Sequence, residues 1–500
     1  LKDDLHIPSL PFPVTPPTSI LGGMAQEGAK GLDLPRVGLT LPVGQIEESE
    51  RNQRCKVKAE NFRLAAEAKK KIIEQEKGNR ALRNQAFQEK AAKVTEEERQ
   101  EKLQLFQEQE KRLVRAMCKV WGTQDFQPVN VLGKGAFGVV HLARQRDSGR
   151  YVALKEMKKA RYHEKNLRER AFAERKILSE AANRWFVGLL ATFQDQDNFY
   201  MVMEFLQGGD LLTWLEQKKR FSEAETRFYM AELLEALDVV HRAGFVHRDI
   251  KPDNVVLSVE GHLKLLDFGL CKPDPTAEPL VEDFSEGGWK PATRRQRMRS
   301  ARGTPQYMAP EAMNGEVCPA GDFWAMGVMV YECLSGSVPF HAGQEQGPEA
   351  NRKVIAQVRN HAEYFAKRLQ RAKAKGCVTK EAEQLLLGLI CEVDTRLTAE
   401  QMRQEPFFSG VDFPSIYLQK PPIVPSEYLE GPTDIRFFPE GLEACKLPRA
   451  CGGPVKDTPL EWALYEFNRE THDLQQPEAV EKLFADSQTA STPEATSLHE

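Results

Sequence analysis

The chain has no run of 18 or more apolar residues, so no stretch of it reads as a membrane-spanning helix. Its start shows no charged-then-apolar secretory signal. The nine cysteines (Cys55, Cys118, Cys271, Cys318, Cys333, Cys377, Cys391, Cys445 and Cys451) are scattered, odd in number and never spaced CxxC. That argues against both a disulfide framework and a zinc site, and it predicts a reducing cytoplasmic setting that could extend to the nucleus. A dominant charge is missing too. Lys and Arg number 69 against 73 Asp and Glu, leaving a formal −4 and no whole-protein footprint for nucleic acid. What is present is 500 residues, 41% hydrophobic and 28% charged, a globular composition with room for roughly two to four domains.

The texture changes along the chain. Residues 1–45 hold seven Pro and six Gly without a period, and we assign no fold to residues 1–48. Residues 51–120 have no Pro and a single Gly, with 19 Lys/Arg against 11 Asp/Glu, a helix-forming segment of about +8. Its Leu103, Phe106, Leu113 and Met117 share one narrow helical stripe, too little for a core of its own. A solvated coiled coil or charged linker fits this pattern, and so does a docking helix pair completed by an acidic partner. Strand-like runs then fall at Val129 to Leu132, Val139 to Leu142, Val152 to Leu154, Val187 to Phe193 and Phe199 to Phe205, with a helical block from Leu167 to Leu178 between the third and fourth. From Asp210 the signal is mostly helical. Strands first and helices later predict an α+β protein with a small sheet lobe and a larger helical lobe. Residues 273–302 read as a long loop, and 473–500, rich in Ser, Thr and Glu past Pro477, as a segment without fold.

The chemistry begins at Gly133, Gly135, Gly138 and Val140 in GKGAFGVV. A strand continues after these glycines, so they sit at a hairpin tip where backbone N–H groups can approach phosphates, unless the tip is an ordinary Gly-rich turn. Lys155 in YVALK could hold phosphate oxygens if Glu174 on the helical block oriented it. The decisive stretch is HRDIKPDN, with Asp249, Lys251 and Asn254, followed by Asp267, Phe268 and Gly269 in LLDFGL. Phosphoryl transfer requires positioned phosphates, Mg²⁺ and an oriented hydroxyl. Asp249 suits the hydroxyl proton, Lys251 the migrating charge, and Asn254 and Asp267 supply the hard oxygens Mg²⁺ prefers.

This ordered set, with Gly303, Thr304 and Pro305 and then Met308, Ala309, Pro310 and Glu311, resembles the protein kinases. The resemblance implies a bilobal kinase domain over 126–408, with an N-lobe over 126–205 and a C-lobe over 206–408, using ATP and Mg²⁺. It places Val140, Ala153, Met203, Glu204, Leu206 and Asp210 beside the nucleotide along with the glycines, Lys155 and Glu174. It also implies that Phe268, His247 and Leu178 stack, that Asp322 anchors the catalytic loop, and that Arg396 pairs with Glu311. A catalytically silent scaffold on the same fold would be expected to lose Lys155, Asp249, Asn254 or Asp267, and all four are present.

KPDN is similar to serine/threonine kinases. Phe437, Phe438, Pro439 and Glu440, and later Trp462, Tyr465, Glu466 and Phe467, resemble the landmarks of the C-terminal tail of AGC kinases, here spanning 409–472. Glu466 stands where such kinases carry a phosphorylatable residue, and a carboxylate supplies about one unit of the charge a phosphate would bring. KVKAENFRLAAE before the domain, and the long insert ending WKPATRRQRMRSARGTP, resemble the NDR/LATS family. That implies an N-terminal helical extension over 51–120 that binds a Mob-family coactivator, regulation by phosphorylation of Ser300, and an upstream activating kinase. The phosphate would meet Arg248, Lys272 and Arg170. Asp210, Asp253, Glu332 and Thr304 match substrate-contacting positions and imply protein substrates with basic motifs, although Asp210 could instead contact ribose and Glu332 could cap a helix. The alternative within the class is an AGC kinase of another branch, dimerised by a coiled coil over 51–120.

Overall fold

The computed structural model describes residues 76–135, 138–162, 165–180, 183–195, 197–275, 304–439, 467–476 and 478–485, without the side chains of 161–170, 172, 180 and 485. Outside these lie the tail 1–48, the first part of the basic segment, the Arg170 side chain, Ser300 with its basic insert, and Trp462, Tyr465 and Glu466.

Five antiparallel strands build the small lobe: β1 (Phe126–Gly135), β2 (Gly138–Gln145), β3 (Tyr151–Lys158), β4 (Leu189–Gln194) and β5 (Asn198–Glu204). Side chains alternate between faces with a period of two. Phe126, Ala143, Val152, Leu154, Phe193, Tyr200 and Val202 form a core on one face. Leu142, Ala153, Met157, Met201 and Met203 turn to the other, against Ala171, Ile177 and Leu178 of helix α3 (Lys165–Glu180). The register sets Val140 opposite Lys155 and Ala153 opposite Met203, so residues widely spaced in sequence share one cleft wall.

The larger lobe is helical. Helix α4 (Leu211–Lys218) starts at Asp210, and α5 (Glu223–Arg242) starts with a Ser222/Glu225 capping box. Two short antiparallel pairs come next: β6 (Phe245–Val246) pairs with β9 (Lys272–Pro273), and between them in sequence β7 (Val255–Leu257) pairs with β8 (Leu263–Leu265). Pro273 is thus the last residue of a strand rather than the first of a loop. The remaining helices are α6 (Pro310–Met313), α7 (Ala320–Ser335), α8 (Gly347–Arg359), α9 (His361–Ala374), α10 (Lys380–Leu389) and α11 (Ala399–Arg403). Nearly all of α7 is buried, which makes it a rigid post behind the catalytic loop. No described helix is long and apolar enough to cross a membrane.

Two expectations need correcting. Helices α1 (76–91) and α2 (Glu96–Cys118) do have a core, because the apolar residues they lack are supplied by the far end of the chain. Phe87, Ala91 and Phe106 pack with Val480, and the rings of Phe87 and Phe106 stack at 4.7 Å. Of the predicted stripe, Phe106 and Leu113 are buried, whereas Leu103 and Met117 are exposed. The second correction concerns 473–500. Past β10 (Phe467–Asn468), the chain forms α12 (Arg469–Gln475) and α13 (Glu478–Ala485). Val480, Leu483 and Phe484 recur at helical spacing there, and burial against α1 and α2 outweighs the polar composition.

Candidate active site

Between the lobes, the structure brings together the residues singled out from their motifs. Lys155 on β3 reaches Glu174 on α3, Nζ to Oε1, at 2.6 Å. Glu174 is buried, and the desolvation raises its pKa even with the Lys155 ammonium beside it.

Below them, the catalytic loop comes directly after β6. Lys251 Nζ donates to Asp249 Oδ2 at 2.9 Å and to Thr304 Oγ1 at 3.3 Å. Asn254 Nδ2 donates to the Asp249 carbonyl at 2.7 Å and to its Oδ2 at 3.0 Å. The amide nitrogen of Asn254 is thereby committed to Asp249, leaving its oxygen for a cation. Asp267 has a left-handed backbone, φ 55°, and accepts from Gly269 N at 3.1 Å. Burial opposes its ionisation, but the Lys155 charge and the Gly269 N–H, with His247 and Lys251, hold its carboxyl below the usual range. One ionised carboxylate and one amide oxygen fit Mg²⁺, which takes few protein ligands and completes its shell with phosphates and water. Consistent with so sparse a donor set, no cluster of three or more His, Cys, Asp or Glu side chains suited to a metal occurs among the described residues.

The glycines differ among themselves. A Cβ on Gly138 would lie 1.9 Å from the Glu156 carbonyl oxygen, so the hairpin itself requires glycine there. A Cβ on Gly133 or Gly135 would meet nothing within 4 Å. Protein packing does not demand glycine at those two positions, whereas a phosphate approaching the backbone would. Val140, Ala153, Met203 and Leu206 belong to the core that lines this wall, Ala153, Met203 and Leu206 buried and Val140 half-buried. Glu204 is tied by its side chain to Gly188 N and Lys264 Nζ, each at 2.6 Å, which steadies the link between lobes.

Behind the loop, Asp322 on α7 accepts His247 N and Arg248 N, both at 2.8 Å. His247 and Phe268 have ring centroids 5.0 Å apart, and Phe268 shares a core with Leu178. Arg396 and Glu311 form a buried pair.

The three carboxylates expected to meet substrate have different surroundings. Asp210 N-caps α4, accepting Thr213 N at 2.7 Å. Glu332 does not cap a helix with its side chain. It accepts the Tyr307 hydroxyl at 2.6 Å, and burial, despite that hydrogen bond and with repulsion from Asp253 adding, pushes its pKa up to about 7. Asp253 is exposed, and its charge also helps raise Asp210, so it lies within electrostatic reach of both Asp210 and Glu332.

Phe467 is half-buried on the small lobe, where β10 pairs with the edge strand β4, Phe467 opposite Thr192. Arg469 had no motif to announce it. Its Nη2 donates to Leu178 O at 2.6 Å, its Nη1 to Ser179 O at 2.9 Å and its Nε to Leu189 O at 3.2 Å.

A protein kinase domain model matches residues 126–408. The chain is 36% identical over 394 residues to the serine/threonine-protein kinase tricornered of Drosophila pseudoobscura pseudoobscura, covering 72% of this chain and 83% of that protein. It is 33% identical over 423 residues to the serine/threonine-protein kinase CBK1 of Pneumocystis carinii, with 77% and 80% covered. Against the serine/threonine-protein kinase cot-1 of Neurospora crassa, identity is 35% over 350 residues, with 63% and 56% covered.

Proposed function

The chain belongs to the protein kinase family, as a serine/threonine kinase of the AGC class and NDR/LATS family, and on that premise we propose that it phosphorylates Ser and Thr in basic sequence contexts with Mg²⁺ and ATP. The observation that carries the reading is the convergence of Lys155–Glu174, Asp249–Lys251–Asn254 and Asp267 on one cleft.

In this reading the glycines at 133 and 135 admit the phosphates, and Lys155, held by Glu174, binds their oxygens. Asp249 accepts the proton of the attacking hydroxyl, which Lys251 and Thr304 help to place. Lys251 offsets the charge of the moving phosphoryl group. Asn254 and Asp267 would hold Mg²⁺, which when bound neutralises phosphate charge. Asp253, Glu332 and, beyond its capping bond, Asp210 attract arginine before the acceptor, because guanidinium binds carboxylate bidentately. A peptide array tests this. Arginine three residues before the acceptor is expected to raise the rate, and equal rates with alanine there would overturn the basic preference.

The partners proposed are a Mob-family coactivator on residues 51–120 and an upstream kinase acting on Ser300. Support for the coactivator comes from α2. Its Phe106 and Leu113 are buried, while Leu103, Val114 and Met117 are exposed, an apolar strip on which a partner could seat, flanked by Lys111 and Arg115, each paired with Glu108. The same burial weighs against self-association of 51–120 as a coiled coil. A pull-down with a Mob protein, set against the solution mass of the full chain, separates the two. The basic insert over 273–302 is proposed to be autoinhibitory, like the family segment it resembles, so replacing its arginines with Ala is expected to raise basal activity, and an unchanged rate would overturn this.

A further inference from the structure

On the face of the small-lobe sheet that turns away from the cleft, one polar pair sits where packing gives no reason for it. Opposite residues share a face, so Val131, His141, Leu154, Val202 and Ala191 line up across the five strands, with Val139, Glu156, Tyr200 and Phe193 in the next row. Each of the neighbours of His141 in its own row is apolar and no more than 1% exposed. His141 itself has 1% of its side chain exposed, and its Nε2 lies 3.2 Å from Glu156 Oε2. An ionised carboxylate only accepts, which puts the hydrogen on Nε2. The other ring nitrogen, Nδ1, is buried and has no hydrogen-bond partner among the described residues. An apolar residue would fill this position without leaving a polar atom unmatched.

The pair runs diagonally between two strands, a reach open to long side chains. His141 is opposite Leu154 and Glu156 is opposite Val139, so the residues enclosed between them, on the other face, are Val140 and Lys155. The bond therefore crosses directly behind the lysine that reaches Glu174 and the valine on the cleft wall. Glu156 has a second contact in the same place. Its main-chain oxygen is the atom against which Gly138 packs, so closely that a Cβ there would stand 1.9 Å from it. One residue thus meets the glycine hairpin through its backbone and His141 through its side chain.

We infer that His141 is a positioning residue for ATP: its bond to Glu156 fixes how β2 crosses β3 behind Lys155, and so sets the depth at which the glycine hairpin closes on phosphate. Apolar rows tolerate a small slide of one strand along the other, whereas a hydrogen bond weakens steeply when its geometry is lost. The inference rests on the proposed role of Lys155 and the hairpin in holding ATP, and the experiment keeps the two apart.

In the full chain, His141→Leu is compared with His141→Gln by thermal unfolding, amide hydrogen exchange without nucleotide, and steady-state kinetics. Leucine removes the bond but fills the space, so the thermal midpoint should rise or stay within about 2 °C of the wild type. Amides of residues 138–142 should still exchange at least about tenfold faster. KM for ATP should rise at least about fivefold, with KM for the peptide changed less than about twofold. The side-chain nitrogen of glutamine can stand where Nε2 does, and His141→Gln should return exchange and KM for ATP to within about twofold of the wild type. An unchanged KM for ATP in His141→Leu would overturn the inference, as would unchanged exchange over 138–142, and so would a His141→Gln protein no better than His141→Leu. Should His141→Leu fail to fold, Glu156→Leu removes the same bond from a side chain that reaches solvent, 12% exposed, and the same readings decide. Lys155→Met tests the underlying reading. If it keeps full activity that reading fails, and exchange and KM for ATP in the His141 variants still judge the bond between the strands.

Discussion

The Asp322 carboxylate takes the main-chain N–H of Arg248 at 2.8 Å through Oδ1, at a residue whose φ of 72° is left-handed. Its other oxygen takes His247 N at 2.8 Å and lies 2.8 Å from His241 Nε2. Burial alone would raise the Asp322 pKa, but the His241 contact and these N–H groups hold it low, so it stays an anion at the back of the loop. Asp322→Ala would leave two buried donors unpaired, at about 1 to 3 kcal/mol each, and release a strained turn next to Asp249. We expect kcat to fall about 10²-fold, the effect of a displacement near 1 Å at a reacting group. Asp322→Asn keeps one acceptor oxygen and should lose less. Kinetics together with denaturant unfolding check both.

In the proposed function, Glu332 makes the preference for basic substrates depend on pH. With its pKa pushed up to about 7 by burial first and Asp253 repulsion second, it is a carboxylate above that pH and a neutral acid below it. The KM of an arginine-bearing peptide should therefore rise as pH drops from about 8 to about 6, and Glu332→Gln should flatten that part of the profile. Stability runs the other way. The folded pKa exceeds the unfolded one, so the folded protein binds the proton more tightly, and stability falls as pH rises from the ordinary carboxyl range through about 7, above which the full penalty stands. Glu332→Gln should then raise the thermal midpoint at about pH 8, and raise it less at about pH 5. A peptide KM that is flat across this range in the unsubstituted protein would contradict the pairing.

The glycines permit a cleaner separation of folding from binding. A Cβ at Gly138 strikes a main-chain oxygen at 1.9 Å, whereas at Gly135 it meets open space. Gly138→Ala should lower both the thermal midpoint and ATP affinity, because the β2–β3 pairing must part. Gly135→Ala should leave the midpoint within about 1 °C, as surface substitutions without a packing conflict do, and still weaken ATP binding. Calorimetric titration with ATP, paired with thermal unfolding, reads the two effects separately.

The residues of the cleft were legible in the sequence where local order brings them together. The runs HRDIKPDN, LLDFGL and GKGAFGVV do so, which is why Asp249, Asn254, Asp267 and the glycines stood out as an ordered set that resembles the protein kinases, and the two lobes came from strands preceding helices. Arg469 and Arg83 could not be found that way. Their partners Leu189 and Gln475 lie 280 and 392 residues away, and an isolated arginine in a polar stretch carries no periodic signal. Helix α13 was visible in outline through Val480, Leu483 and Phe484, but composition over a wide window obscured an eight-residue helix. Asp210 shows the reverse case. Its motif position was plain, yet the capping bond to Thr213 N appears only once α4 has formed.

A buried ion pair locks the segment after Thr304. The side chain of Arg396 is fully buried, and it bonds both oxygens of Glu311 as well as Ala320 O and Cys391 O, each carbonyl at 2.8 Å. Its guanidinium carbon also lies 5.1 Å from the centre of the Trp324 ring. Removing one partner strands the other charge in the core, which costs about 3 to 5 kcal/mol. Arg396→Met and Glu311→Gln should each destabilise the protein by about that much in denaturant unfolding. The double substitution should cost less than the sum, because neither charge is then left alone. Arg396→Lys cannot reproduce the planar fork and should behave as a loss. Glu311, in the first turn of α6, lies only seven residues after Thr304, which accepts from Lys251. The same variants should therefore raise the KM for peptide more than that for ATP, and an equal rise in both would place the pair's influence outside the substrate side of the cleft.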